Sequence, residues 1–145
     1  MFIVLADDDV DDRELFTEAM EDVGGNVKLE TVPDGEGLMN LLKSNEKLPD
    51  LIFVDLNMPN KDGKECLREI RESGLFGHIP VIIYSTSSSP RDIEETFDKG
   101  ANLYVTKPST FADLKQITSS VINMNWDIQR PNADKKNFLF NTAHL

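Results

Sequence analysis

The chain has 145 residues, a formal net charge of −11, and 39% hydrophobic against 28% charged residues. That balance fits one self-sufficient globular domain, while so acidic a chain is ill suited to direct nucleic-acid binding, which rests on phosphate neutralisation by Lys and Arg. A single cysteine, Cys66, excludes an intramolecular disulfide, and His78 and His144 do not make a zinc set.

Phe2–Ala6 reads as a first strand, apolar throughout, as in a parallel sheet covered on both faces. A helix is expected over Val10–Val23, with Phe16, Ala19, Met20 and Val23 at helical spacing and Gly24-Gly25 as its stop. Val27–Val32 alternates and reads as a more exposed strand, followed by a Pro33-Asp34-Gly35 turn. A helix over Gly37–Ser44 places Leu38, Leu41 and Leu42 on one side, and Leu51–Val54 is a second fully apolar strand ending at Asp55. After a loop rich in Pro, Asn and Gly, Lys64–Ser73 is a helix burying Leu67, Ile70 and Cys66, the last as a small core residue and not a nucleophile.

Val81–Tyr84 is a strand running into Ser85-Thr86-Ser87-Ser88-Ser89. Ser89 caps the next helix, Pro90 takes its first position, Ile93 and Phe97 face inward and Gly100 ends it. Asn102–Val105 is the fifth strand, and Thr110 with Asp113 opens a last helix through Leu114, Ile117 and Val121. Strand and helix alternate five times, which implies an α/β fold: a doubly wound (βα)5 three-layer sandwich around a five-stranded parallel sheet.

The body is expected over 1–124 and a tail over 125–145, with no separate effector domain. The tail could be disordered, or Phe138, Leu139 and Phe140 could dock on the body, since an exposed patch of three such residues is costly. No apolar run approaches the ~18–20 residues that span a bilayer. Met1–Ala6 runs straight into acids without a basic region or cleavage site, so no signal peptide is read and a cytoplasmic location is the default.

In open α/β sheets, sites form beyond the carboxyl ends of the strands. There this chain carries Asp7, Asp8 and Asp9 after the first strand, Asp55 after the third, Ser85 and Thr86 after the fourth, and Thr106, Lys107 and Pro108 after the fifth. Carboxylates brought together repel, and oxygen-only ligands favour Mg²⁺ or Mn²⁺ over zinc. Lys107 can balance an anion and Ser85 can donate to it, so an Asp carboxylate here is a competent phosphoryl acceptor. Asp9 is better read as the cap of the first helix, and Asp11, Asp12, Glu14, Glu94 and Glu95 as solvated helix faces.

Taken together, Asp7-Asp8, Asp55-Leu56-Asn57-Met58-Pro59 with Asp62-Gly63, Ser85, and Lys107-Pro108 after Tyr104-Val105-Thr106 resemble the receiver domain of two-component response regulators. The layout resembles that of the single-domain chemotaxis regulator, over Phe2 to about Asn123. The resemblance implies a flavodoxin-like strand order 2-1-3-4-5. It implies that Asp55 is the phosphoacceptor, that Asp8 binds Mg²⁺ directly and Asp7 through water, and that Asn57 offers its backbone carbonyl to the metal. Lys107 would pair with the phosphoryl group, the Thr86 amide would donate to it, Ser85 would swing toward it, Tyr104 would change rotamer in concert, and Pro108 would follow a cis peptide. Asn57 and Ser87 would lie where phosphate lifetime is tuned. The implied partners are a histidine kinase or histidine phosphotransfer protein upstream. Downstream, a target protein or a second copy would meet the face of helix 4, strand 5 and helix 5.

Competing readings have their own requirements. An aspartyl-phosphate hydrolase needs a second Asp at position 57, where this chain has Asn57. A flavin protein of the same topology needs a hydroxyl- and Gly-rich loop where this chain has three acids. A degenerate receiver serving only as a binding module would lack key positions that are all present here. Tyr104 as a plain strand aromatic, and the serine run as a plain capping loop, stay open from sequence alone.

Overall fold

The computed structural model describes residues 1–23, 25–44, 46–126 and 135–141. The expected alternation is present: β1 (Phe2–Ala6), α1 (Val10–Val23), β2 (Lys28–Val32), α2 (Gly35–Ser44), β3 (Leu51–Val54), α3 (Gly63–Glu72), β4 (Val81–Ser85), α4 (Pro90–Asp98), β5 (Leu103–Thr106), α5 (Phe111–Ile122) and a further short strand, β6 (Leu139–Phe140). All neighbours in the sheet are parallel, in the order β2-β1-β3-β4-β5-β6. This is the flavodoxin-like order 2-1-3-4-5 with one strand added at the β5 edge.

Every residue of β1, β3 and β4 is buried. Successive side chains alternate between two cores, as a strand period of two requires. Val4, Ile52, Val54 and Ile83 meet Leu38, Leu42, Leu67 and Ile70 on the α2–α3 side. Ile3, Leu5, Leu51, Phe53 and Ile82 meet Phe16, Met20, Ile117 and Val121 on the α1–α5 side. Burying Ile3, Val4 and Leu5 at 0% exposure contributes about 1.5–3 kcal/mol each. The half-exposed β2 is an edge strand, as its alternation predicts.

The caps fall largely where the sequence places them. Asp9 Oδ1 accepts from the N–H groups of Asp11 (2.9 Å) and Asp12 (3.1 Å). Ser89 and Thr110 accept from the amides of Asp92 and Asp113, both at 3.1 Å. Two helices start earlier than the sequence reading. Asp34 Oδ1 accepts from Gly37 N–H at 2.7 Å, so the Pro33-Asp34-Gly35 turn is already the mouth of α2. Asp62 accepts from Glu65 N–H at 2.9 Å and opens α3 at Gly63.

The tail residues 135–141 dock. After a 3-10 turn over Lys135–Asn137, β6 pairs with β5, Tyr104 opposite Leu139 and Val105 opposite Phe140. Phe138 is 1% exposed. Trp126 packs against the α1–α5 core, its indole N–H donating to the Val121 carbonyl at 2.9 Å. The tail stretch Asp127 to Pro131 and His144 lie outside the described residues. No described helix is long and apolar enough to cross a membrane.

Candidate functional site

The loops leaving β1, β3 and β5 converge because the strands β1, β3, β4 and β5 are consecutive in the sheet and parallel, so all release their chains at one edge. Backbone bonds fix the exits. Asp7 N–H donates to the Val32 carbonyl at 3.1 Å, and Asp55 N–H to the Ala6 carbonyl at 2.9 Å. Lys107 N–H donates to the Ser85 carbonyl at 2.8 Å. Carboxylate oxygens of Asp7, Asp8 and Asp55 then lie within 4.8 Å of one another.

Asp7 and Asp55 are buried while Asp8 faces solvent. Burial is the larger influence on Asp7 and holds its pKa above the usual carboxylate value, against the opposing pull of Lys107. Asp7 Oδ1 accepts from Asp9 N–H at 3.0 Å. Asp7 Oδ2 stands 2.8 Å from Lys107 Nζ, an ion pair without hydrogen-bond alignment, and is buried without a hydrogen-bond donor. Three carboxylates that can reach one point, with no nitrogen or sulfur ligand among them, fit a hard divalent cation.

Lys107 is the cationic counterpart. Its side chain is 8% exposed, and Nζ stands 2.7 Å from Asp12 Oδ2 and 3.0 Å from Asp55 Oδ2. Burial works against the ammonium, but Asp12, Asp7 and Asp55 outweigh it and hold the lysine above its ordinary pKa. The Tyr84 ring lies beneath Nζ at 5.4 Å. The places of Asp12 and Tyr84 around Lys107 are not legible in the sequence. Asp12 reads there as one more acid on a solvated α1 face, and only the crossing of α1 over the β5 exit brings it to Lys107. The expected cis bond before Pro108 is absent, since no described residue has a cis peptide. The loop is held instead by the Lys107 backbone bond and the carboxylates around Nζ.

The loop after β3 is tightly folded. Asn57 N–H approaches Asp55 Oδ1 at 3.5 Å, and its side chain is exposed. Asn60 holds a left-handed φ of 68°. Gly63 N–H donates to the Leu56 carbonyl at 3.0 Å. A Cβ on Gly63 would stand 2.3 Å from the Asp55 carbonyl oxygen, so glycine is needed for close approach.

The β4 exit forms a separate cluster. Ser85 is fully buried and its hydroxyl accepts from Ser87 N–H at 3.2 Å, while Thr86 is exposed. Tyr104 is fully buried, and its hydroxyl donates to the Ser87 carbonyl at 2.8 Å. Ser87 Oγ donates to Asp92 on α4, whose other oxygen pairs with Lys64 on α3 at 2.8 Å. Lys64 also holds Glu95 at 2.6 Å. Lys64, with Arg91, pushes Glu95 down to about 2. Glu95 is thus an ion-pair partner, against its reading as a merely solvated acid.

Over residues 3–119 the chain matches the family model described as the response regulator receiver domain. It is 31% identical over 124 residues to the response regulator Rcp1 of Synechocystis, covering 82% of this chain and 84% of Rcp1. It is 31% identical over 123 residues to a probable methanogenesis regulatory protein, FilR2, of Methanothrix harundinacea, covering 82% and 79%. Among solved structures, the phosphorylated cyanobacterial phytochrome response regulator RcpA superposes with a TM-score of 0.77 at 35% identity, over 83% of this chain and 89% of that one. With its fold, its acidic strand-end cluster and these likenesses taken together, the chain belongs to the response regulator receiver domain family and is a response regulator of two-component signalling.

Proposed function

We propose that Asp55 accepts a phosphoryl group from a phosphohistidine on a histidine kinase or phosphotransfer protein, and that the acyl phosphate shifts a protein-binding face. The observation that carries this is the convergence of Asp7, Asp8 and Asp55 on one point, with Lys107 pressed against Asp55 at 3.0 Å.

Asp8 and Asp55 would hold Mg²⁺ directly, with the Asn57 backbone carbonyl, and Asp7 through water. Bound there, the ion would draw charge from the oxygens of the transferring group. An Asp55 oxygen attacks phosphorus in line, a P–O bond forms, and the P–N bond breaks with its electron pair leaving on the imidazole nitrogen. Lys107 turns its ammonium toward the phosphoryl oxygens and keeps Asp12 as a partner on the far side. The Thr86 amide donates to the same group. Ser85 exchanges its contact with Ser87 for one with the phosphoryl group, and Tyr104, bonded to the same Ser87, follows. Hydrolysis of the acyl phosphate resets the site, and the chain turns over no other substrate.

We read residues 1–124 as the receiver unit and 125–145 as a tail, acting in the cytoplasm. A target protein or a second copy would read the face of α4, β5 and α5. Incubation with acetyl phosphate and Mg²⁺ should add one labile HPO₃ to the intact mass. The adduct should be absent without Mg²⁺ and in Asp55→Asn. An adduct that persists in that variant overturns the assignment.

A further inference from the structure

Lys107 pairs with the same carboxylates that would hold a cation. Its Nζ stands 2.8 Å from Asp7 Oδ2 and 3.0 Å from Asp55 Oδ2. Those two, with Asp8, are the carboxylates that can reach one point. The ammonium and a divalent ion therefore draw on the same oxygens, and at such range two cations repel. Asp12 stands apart from this conflict. Its Oδ2 is 2.7 Å from Nζ, the shortest of the three pairs, and it does not belong to the cluster. Local structure puts it there. Asp9 Oδ1 accepts from Asp12 N–H at 3.1 Å. Arg13 Nη1 donates to the Asp7 carbonyl at 2.8 Å and ties the first turn of α1 to the β1 exit. Asp12 thus sits where the helix dipole favours a negative charge, and meets a lysine 95 residues away. Its side chain is 30% exposed, against 0% for Asp7 and 8% for Asp55, so of the three partners it is the one nearest to solvent.

We propose that Asp12 is a positioning residue for Lys107: it gives the ammonium a seat outside the cation cluster, so that the lysine and Mg²⁺ share the site. In the ion-free chain Lys107 neutralises Asp7 and Asp55. With Mg²⁺ held, those two carboxylates turn their charge to the ion, and Asp12 keeps the ammonium beside Asp55, within reach of an arriving phosphoryl group. Without Asp12, the ion-pair partners of Lys107 among the described residues are Asp7 and Asp55 alone. Binding the ion then means ejecting the ammonium or dividing their oxygens with it, and that cost is subtracted from the ion's affinity. The inference rests on reading Asp7, Asp8 and Asp55 as the Mg²⁺ site.

The test is a calorimetric Mg²⁺ titration of the full chain as native protein, Asp12→Asn, Asp12→Glu, Lys107→Met and the Asp12→Asn/Lys107→Met double variant. Asp12→Asn should weaken Mg²⁺ binding about 10-fold, the size expected of coupled residues in contact. Asp12→Glu, which keeps the carboxylate, should restore most of the affinity. In the Lys107→Met background the same Asp12→Asn change should move the affinity by less than about 2-fold, since a partly exposed charge outside the cluster is screened by water and salt. Equal effects in the two backgrounds overturn the proposal, because Asp12 then acts only as one more negative charge. A second readout needs no change at Lys107. Proton–nitrogen NMR should show the Lys107 ammonium protected from exchange with water in the Mg²⁺-loaded native chain and exchanging freely in Mg²⁺-loaded Asp12→Asn. Equal protection in both also overturns the proposal. A native chain that takes up no Mg²⁺ removes the metal reading and this inference with it, whereas undiminished binding by Asp12→Asn removes the inference alone.

Discussion

Lys107 is the residue on which the site's electrostatics turn. Three carboxylates, Asp7, Asp12 and Asp55, share this one ammonium. Removing one partner of a buried ion pair commonly costs about 3–5 kcal/mol, because the remaining charge is left uncompensated. Lys107→Met should therefore destabilise the ion-free chain by an amount of that order in urea unfolding, and Mg²⁺ should recover part of it by replacing the lost charge. A loss unaffected by Mg²⁺ would show that Lys107 is there for packing alone. Gly63 makes a second prediction at this scale. Gly63→Ala drives a Cβ into the Asp55 carbonyl, and backbone cannot yield as a flexible side chain can. The expected cost is about 2 kcal/mol, together with slower acquisition of phosphate at Asp55, both measured on the same preparation.

At the scale of elements, the β4–α4 connection is tied down from both sides. Tyr104 on β5 holds the Ser87 carbonyl, while Asp92 on α4 holds its hydroxyl. Lys64 links that pair to α3 through Asp92 and Glu95. The carboxyl pKa values of Asp92 and Glu95 are lowered in the folded chain, first of all by Lys64. A carboxylate lowered on folding contributes stability above its unfolded pKa and loses it as pH falls through the folded one. For Glu95 the window runs from the ordinary glutamate value down to about 2. Carbon NMR of Glu95 should show a midpoint near that lower value, returning toward the ordinary one in Lys64→Ala. An unchanged midpoint would remove Lys64 as the cause. The same variant should loosen the Ser87 loop, detectable as faster amide exchange at Ser87 and Ser89.

Across the whole molecule, the docked tail closes the α4–β5 edge and buries Tyr104 completely. Because the segment attaches as a unit, its loss costs no more than its docking energy. For two aromatic side chains leaving the interior this is on the order of 3–6 kcal/mol. Phe138→Ala and deletion of 127–145 should accordingly lower stability by similar amounts in chemical denaturation, with the receiver body still folding cooperatively. A much larger loss on deletion would mean that the body depends on tail residues other than Phe138.

Sequence alone determined the five β-α repeats, the edge character of β2, the caps at Asp9, Ser89 and Thr110, and the meeting of Asp7, Asp8, Asp55 and Lys107. These follow from local rules: apolar runs set strands, side-chain oxygens set helix starts, and parallel order sends every strand end to one edge. Tertiary structure alone decided the rest. Asp12 looks like any exposed helix acid until α1 crosses Lys107. Glu95 looks solvated until α3 brings Lys64 to it. The first turns of α2 and α3 hide behind glycines whose role is close packing. Phe138-Leu139-Phe140 shows only that it is apolar, while its seat on β5 depends on Phe97 and Tyr104, more than thirty residues earlier. Pairings between residues distant in the chain leave no periodicity for sequence to reveal, because they depend on how finished elements pack.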